Sequence, residues 1–154
     1  MLDSFWKQFK SGTDIRGVAS EGVAGQAVNL TDEVVEKIAA GFALWLIHKT
    51  GKADGLSVSV GHDSRISAQR IKTAVVGALT AAGAKVFDCG LSSTPAMFMS
   101  TLGLPCDGAV QITASHHPFN RNGLKFFTKD GGLDSPDIVQ ILEYAANSEK
   151  PAAK

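Results

Sequence analysis

After Thr31, apolar residues recur at helical spacing: Val34, Val35, Ile38, Phe42, Trp45 and Leu46. Asp32 and Glu33 fall in the first turn, where carboxylates complement the helix dipole. With Thr31 as N-cap, the pattern predicts a helix over 32–48 that stops near Gly51. The period then changes to two. Ser57 to Val60 (SVSV) predicts a short strand, broken at Gly61, that empties into the loop HDSRIS. Ile71, Ala74, Val75, Ala78, Leu79 and Ala82 form a helical stripe behind Ser67, with Gly83 at the C-terminal cap. A strand is expected over 84–89 (AKVFDC), ended by Gly90. Thr94-Pro95 sets a capping residue before a proline at the first position of a short helix ending near Gly103, and 107–114 is again strand.

Helices and strands thus alternate at spacings that allow crossovers, which argues for a largely parallel sheet. The rhythm breaks after Ala114. SHHPFNRNG leads to the strand-like LKFFT, the turn KDGG, and a helix opened by Ser135-Pro136 with Ile138, Ile141, Leu142 and Ala145 on one face. Too few residues separate LKFFT from the preceding strand for a parallel crossover, so that pair is expected to be antiparallel. The expected fold class is α/β, with three layers: a mixed, mainly parallel β-sheet covered by helices. Residues 1–148 are read as one domain and 149–154 as a tail or the start of a linker.

Composition narrows the functional classes. The 154 residues, 44% hydrophobic and 19% charged, suffice for one core. Fifteen Lys and Arg balance fifteen Asp and Glu, so no global charge draws the chain to nucleic acid or an anionic membrane. Cys89 and Cys106 are too few for a disulfide framework and lack C-x-x-C spacing, which fits a reducing, cytoplasmic compartment. The first ten residues contain Asp3, Lys7 and Lys10, and the apolar run 39–47 is short and interrupted by Gly41, so neither secretion nor membrane insertion is expected.

The local charge is more informative. From Gly108 through Lys129 there is no carboxylate, while His116, His117, Arg121, Lys125 and Lys129 lie within the stretch. Ser115 sits just beyond a buried strand, where open α/β sheets bind ligands. Asn122-Gly123 reads as a flexible turn that returns Lys125 toward the serine, so that a hydroxyl, an imidazole and an ammonium surround one anion. A hydrolase nucleophile would need G-x-S-x-G between strand and helix, whereas here A-S-H leads to proline and a second strand. Neither G-x-x-x-x-G-K-[ST] nor G-x-G-x-x-G occurs, which disfavours a nucleotide loop. Two readings stay open on residues alone: a serine that carries a phosphoryl group among fixed cations, and an ordinary loop serine with solvated histidines. Adjacent histidines cannot easily share one tetrahedral ion, and no H-x-x-x-H pair supports zinc.

The string ITASHHPFNRNGLKFF resembles the phosphoserine loop of the α-D-phosphohexomutases, the phosphoglucomutase and phosphomannomutase family, usually T-A-S-H-N-P followed by N-G-x-K. SGTDIRGV resembles the family's N-terminal G-T-D or Y-D-I-R-G segment, and VGHDSRIS its G-x-D-x-R strand end, in the same order. The resemblance implies an intramolecular phosphotransferase of the isomerase class. Ser115 would donate a phosphoryl group to a hexose monophosphate, form a bisphosphate and recover phosphoryl from the other end. His116, Lys125 and Arg16 would be catalytic, His116 in a supporting role. Arg16, Lys125, Thr13 and His117 would contact substrate, and Arg65 would be a structural partner of Asp63. His117 stands where the family has asparagine, leaving two expectations open: a preserved hydrogen bond, or altered metal geometry and turnover. Thr113 leans toward glucose and mannose phosphates over the aminosugar branch.

The resemblance also implies Mg²⁺ held through phosphorylated Ser115. Its other ligands are expected in family domains whose D-G-D-x-D-R, G-E-x-S-G and phosphate-clamping loops do not occur here. The expected partners are therefore a hexose phosphate and the remaining mutase domains, with the chain alone inactive. A non-catalytic phosphosugar-binding or interaction module derived from the same domain is the alternative.

Overall fold

The structure, a computed structural model, describes residues 2–52 and 54–147. In chain order the elements are α1 (Ser4–Lys7), β1 (Lys10–Ser11), β2 (Asp14–Val18), α2 (Asp32–Thr50), β3 (Ser57–His62), α3 (Ala68–Ala81), β4 (Lys85–Leu91), α4 (Thr94–Gly103), β5 (Gly108–Ile112), β6 (Arg121–Thr128), β7 (Gly131–Gly132) and α5 (Ser135–Asn147). The expected tail at 149–154 lies outside the described residues.

Helix α2 forms as its caps dictate. Thr31 Oγ1 accepts from the Val34 amide at 3.3 Å, and the helix ends at Gly51, which takes the left-handed conformation (φ 75°) that a side chain would resist. Ser67 is the N-cap of α3 but makes no side-chain cap bond; its hydroxyl accepts instead from Asn122 Nδ2 at 2.9 Å. One helix start differs from expectation. The N-cap of α4 is Ser93, one residue before Thr94, and its Oγ accepts from the Ala96 amide. Helix α5 carries Ile138, Ile141, Leu142 and Ala145 on its buried side, as expected.

Among the described residues seven strands form one sheet in the order β1-β2-β6-β5-β3-β4, with β7 paired to β6. The sheet is mixed. Strands β4, β3 and β5 are mutually parallel, whereas β6 runs antiparallel to β5, as the short connection requires. The parallel part is smaller than the alternating element order implies, because β2, β1 and β7 extend the sheet with antiparallel ladders. Two glycines expected to end strands do not. β3 continues through Gly61 and β4 through Gly90, and the register between them shifts at Val60/Gly61, so the small residues mark a bulge.

Alternation along β5 and β6 divides the core. Val110, Ile112, Leu124 and Phe126 join α2, α3 and α5 in the main cluster, where the Phe42 and Phe126 ring centroids stand 4.5 Å apart. Ala109 and Phe127 point the other way, onto Met97 of α4. The sheet is thereby covered on both faces, and the end of β5, followed by residues 113–120, is left at the rim.

Candidate functional site

Ser115 lies just past β5 with φ 55°, the one non-glycine residue of positive φ among those described. An L-residue costs about 1–2 kcal/mol in this region, so the surroundings must hold it there. They do so from several sides. The Ser115 amide donates to Thr113 Oγ1 (3.1 Å), whose hydroxyl donates to Asp63 Oδ2 (2.7 Å). The amides of His117 and Arg121 close turns onto the carbonyls of Ala114 and Pro118. Arg65, whose side chain is 12% exposed, donates to four loop carbonyls: Nη2 to Ser115 O (2.7 Å) and His117 O (2.9 Å), Nη1 to Pro118 O (2.8 Å) and Arg121 O (3.1 Å). Its Nε stands 3.4 Å from Asp63 Oδ2 as an ion pair without hydrogen-bond geometry. The expected Arg65–Asp63 pairing is present, and the grip on the loop goes well beyond it.

Around the exposed serine, His116 Nδ1 lies 3.4 Å from Ser115 Oγ, and the His116 ring stacks on His117 at 5.4 Å. His117 Nε2 accepts from Arg16 Nη1 at 2.8 Å. Partial burial, and then the charges of Arg16, Arg121, His116 and Arg65, hold the His117 imidazole below the usual histidine range, which agrees with an unprotonated Nε2 accepting from a guanidinium. At this position histidine makes a hydrogen bond that ties the serine loop to Arg16.

Arg16 arrives from the sheet. β2 pairs with β6 so that Arg16 stands opposite Gly123, whose carbonyl accepts from the Thr113 amide. A Cβ on Gly123 would overlap the Ile15 carbonyl oxygen and lie 2.8 Å from Arg16 Cγ, so only glycine lets the arginine cross here. Asn122-Gly123 is accordingly strand and not the expected turn; the reversal falls within 115–120. Lys125 is likewise a strand residue, on the same sheet face as Gly123 and Arg16. Its Nζ pairs with Asp14 Oδ1 (3.0 Å), and Asp14 Oδ2 pairs with Arg16 Nη2 (2.9 Å), so Lys125 joins the serine loop through Asp14, Arg16 and His117. Asp14 is 8% exposed and holds both cations. Sequence reasoning missed it, although its signal, an acid two residues before Arg16 on one strand face, was present. Thr13 sits exposed in the turn between β1 and β2.

A divalent cation would find a serine oxygen and few further donors. Asp63 is engaged by Thr113 and Arg65, Asp14 by Arg16 and Lys125, and among the described residues no group of three or more His, Cys, Asp or Glu is placed to hold a metal. These residues alone do not fit a site for Mg²⁺. Cys89 and Cys106 are free thiols, with burial raising the pKa of Cys89. No helix among the described residues is long and apolar enough to cross a membrane.

Fold and site together define an α/β domain that presents a conformationally held serine beside a cationic strand face. Residues 7–153 match the family model described as phosphoglucomutase/phosphomannomutase, alpha/beta/alpha domain I. The chain is 38% identical over 125 residues to the phosphoglucosamine mutase of Nautilia profundicola, and 35% identical over 141 residues to that of Staphylococcus saprophyticus. These alignments cover 80% and 91% of this chain but 27% and 30% of the relatives, so the chain spans under a third of their length. A crystal structure of a phosphoglucomutase/phosphomannomutase family protein from Burkholderia thailandensis superposes with a TM-score of 0.75 at 26% identity, covering 96% of this chain and 31% of that one. The chain belongs to the phosphoglucomutase/phosphomannomutase family, aligned with its α/β/α domain I. The two sequence relatives bear names from the aminosugar branch, away from which Thr113 leans.

Proposed function

We propose that this chain is the phosphoserine-bearing domain of a phosphohexomutase, residues 1–148 forming the domain and 149–154 a tail or the start of a linker, acting in the cytoplasm with further mutase domains. The observation that carries the reading is Ser115, held at φ 55° at the rim of the sheet with His116 Nδ1 3.4 Å from its Oγ. In the forward step a hydroxyl oxygen of a hexose monophosphate attacks the phosphorus on Ser115, the P–Oγ bond breaks, and the hydroxyl proton is delivered to Oγ. Transfer from the other end of the resulting bisphosphate restores the phosphoserine. His116 steadies the proton near Oγ, and its exposed ring suits a supporting role. Arg16 supplies fixed positive charge where the transferring oxygens gather charge, Lys125 adds to it from the neighbouring strand, and His117 keeps Arg16 turned toward the loop. Thr13 offers a hydroxyl from the β1–β2 turn. Mg²⁺, when bound through the phosphoserine with ligands from other domains, would add electrostatic stabilisation. Because the relatives are named phosphoglucosamine mutases, aminohexose phosphate is the substrate to compare with glucose and mannose phosphates.

The test replaces the matching domain of the Staphylococcus saprophyticus enzyme by this chain and assays conversion of hexose 1-phosphate to 6-phosphate. Turnover with a phosphoryl adduct mapped to Ser115 is expected, and Ser115→Ala should abolish both. Equal conversion by Ser115→Ala, or none by the unaltered chimera, overturns the reading; sugar-phosphate binding without an adduct or turnover would instead indicate the non-catalytic module.

A further inference from the structure

We infer that Arg65 is a positioning residue of the transfer reaction: it fixes where Ser115 Oγ stands by gripping the loop backbone, and takes no part in binding phosphate. This rests on the phosphoserine reading of Ser115.

The argument begins with proton counting. A guanidinium has four N–H bonds on its two terminal nitrogens, and all four are spent here on the carbonyls of Ser115, His117, Pro118 and Arg121. The remaining Nε faces Asp63 at 3.4 Å. That Nε–H makes no hydrogen bond but is buried, so no exposed donor is left for a phosphate, and the side chain is largely sealed from water. An arginine otherwise available for an anion is thus committed to backbone.

The gripped carbonyls begin at the strained residue and run on from it. Ser115 O belongs to the residue with positive φ, and the other three follow it around the reversal into β6. A second hold acts from the opposite side. Asp63 accepts both the Arg65 amide (3.1 Å) and the Thr113 hydroxyl (2.7 Å), and that hydroxyl's oxygen accepts the Ser115 amide. The loop after β3 therefore fixes Ser115 at its N–H through Asp63 and Thr113, and at its C=O through Arg65. Both backbone polar groups of one residue, and so the peptide planes on either side of its Cα, are held by two residues spaced i, i+2 in HDSR. Pinning sets the direction of the Cα–Cβ bond and so the approach of Oγ to an acceptor, where an error of about 1 Å can cost of order 10²-fold in rate.

Lysine cannot replace this grip, since one ammonium has three protons on a single atom and four carbonyls surround a plane. Two variants of the full chain test the inference, Arg65→Lys and Arg65→Gln. By NMR, the Ser115 Cα and Cβ shifts should leave left-handed values, and the His117 and Arg121 amides should exchange at least tenfold faster while Ile112 and Phe126 stay protected. In the chimera, both variants should lower kcat by roughly 10²-fold with KM for the sugar phosphate within about twofold. Unchanged loop shifts and exchange, unchanged kcat, or a loss explained by less folded protein in both variants would overturn the positioning role. Ser115→Ala separates the two readings: if that variant turns over normally, the phosphoserine assignment fails, whereas if it is dead and Arg65→Gln matches wild type, only the positioning role fails.

Discussion

Gly123→Ala places one methyl group where β2, β5 and β6 meet. The added carbon would overlap the Ile15 carbonyl oxygen, stand 2.8 Å from Arg16 Cγ and 3.1 Å from the Thr113 carbonyl oxygen, while such carbon–oxygen contacts settle beyond about 3.3 Å. Two of these three neighbours are backbone, so relief requires β2 to move off β6. The ladder at risk pairs Ile15 with Leu124, Arg16 with Gly123, Gly17 with Asn122 and Val18 with Arg121. Overpacking typically costs 1–3 kcal/mol, and each backbone hydrogen bond opened adds about 1 kcal/mol. We expect at least about 3 kcal/mol, which for a domain of this size lowers the melting temperature by roughly 6–12 °C. Urea unfolding and calorimetry measure it, with Gly77→Ala as control, because Gly77 lies on the exposed side of α3 with nothing within 4 Å of its added carbon and should be neutral or stabilising. A Gly123→Ala protein within 1 kcal/mol of wild type would refute the idea that the arginine crosses the strand at closest approach.

Other perturbations probe the site and core separately. Asp14→Asn removes the charge shared by Arg16 and Lys125 and should cost roughly 2 kcal/mol in urea unfolding, with larger losses of chimera turnover; a neutral result on both measures would contradict the bridge. Lys125→Ala is expected to impair transfer with a destabilisation of under about 1 kcal/mol, since the lysine is a partly exposed strand residue whose main partner keeps Arg16. Because the folded His117 has a pKa below its free value of 6.5, its neutral form stabilises the fold above that pH, and the contribution is lost as pH falls from 6.5 through the folded pKa. Wild type should therefore lose melting temperature more steeply on acidification than His117→Asn; parallel curves would exclude the linkage. Phe126→Ala opens the centre of the aromatic contact with Phe42 and should cost about 3–5 kcal/mol by chemical denaturation.

The long amphipathic segments were legible because burial follows periodicity: α2, α3 and α5 bury the stripes that spacing picks out. Glycine misled at β3 and β4, where a missing side chain relieves a bulge and does not stop pairing. At Asn122-Gly123 a turn-forming dipeptide is held extended by partners on both sides, a tertiary effect that local sequence does not carry. α1 and β1 escaped notice because four and two residues are too few to establish a period, and β2 because DIRGV, with Asp14, Arg16 and Gly17, shows no apolar alternation. The serine loop and its flanking cations were visible as a motif, yet their joining element, Asp14, depends on strand register. Arg65 was read as a partner of Asp63, and its four carbonyl contacts come from the chain folding back, which no spacing within HDSR encodes.

The pairing of β2 with β6 has a temporal consequence. Arg16 meets His117 across 101 positions, and Asp14 meets Lys125 across 111, so neither contact can exist on a ribosome-bound chain before residues 117–125 emerge. The parallel strands β3, β4 and β5 can associate earlier, with the edge of β5 waiting for β6 and the N-terminal segment unpaired behind it. Contacts so distant in sequence are expected to form after the more local ones, so the cationic face should assemble late in folding. Folding and the competence to hold an anion beside Ser115 should then arise together, and partly folded chains would carry the serine without the charges that serve it.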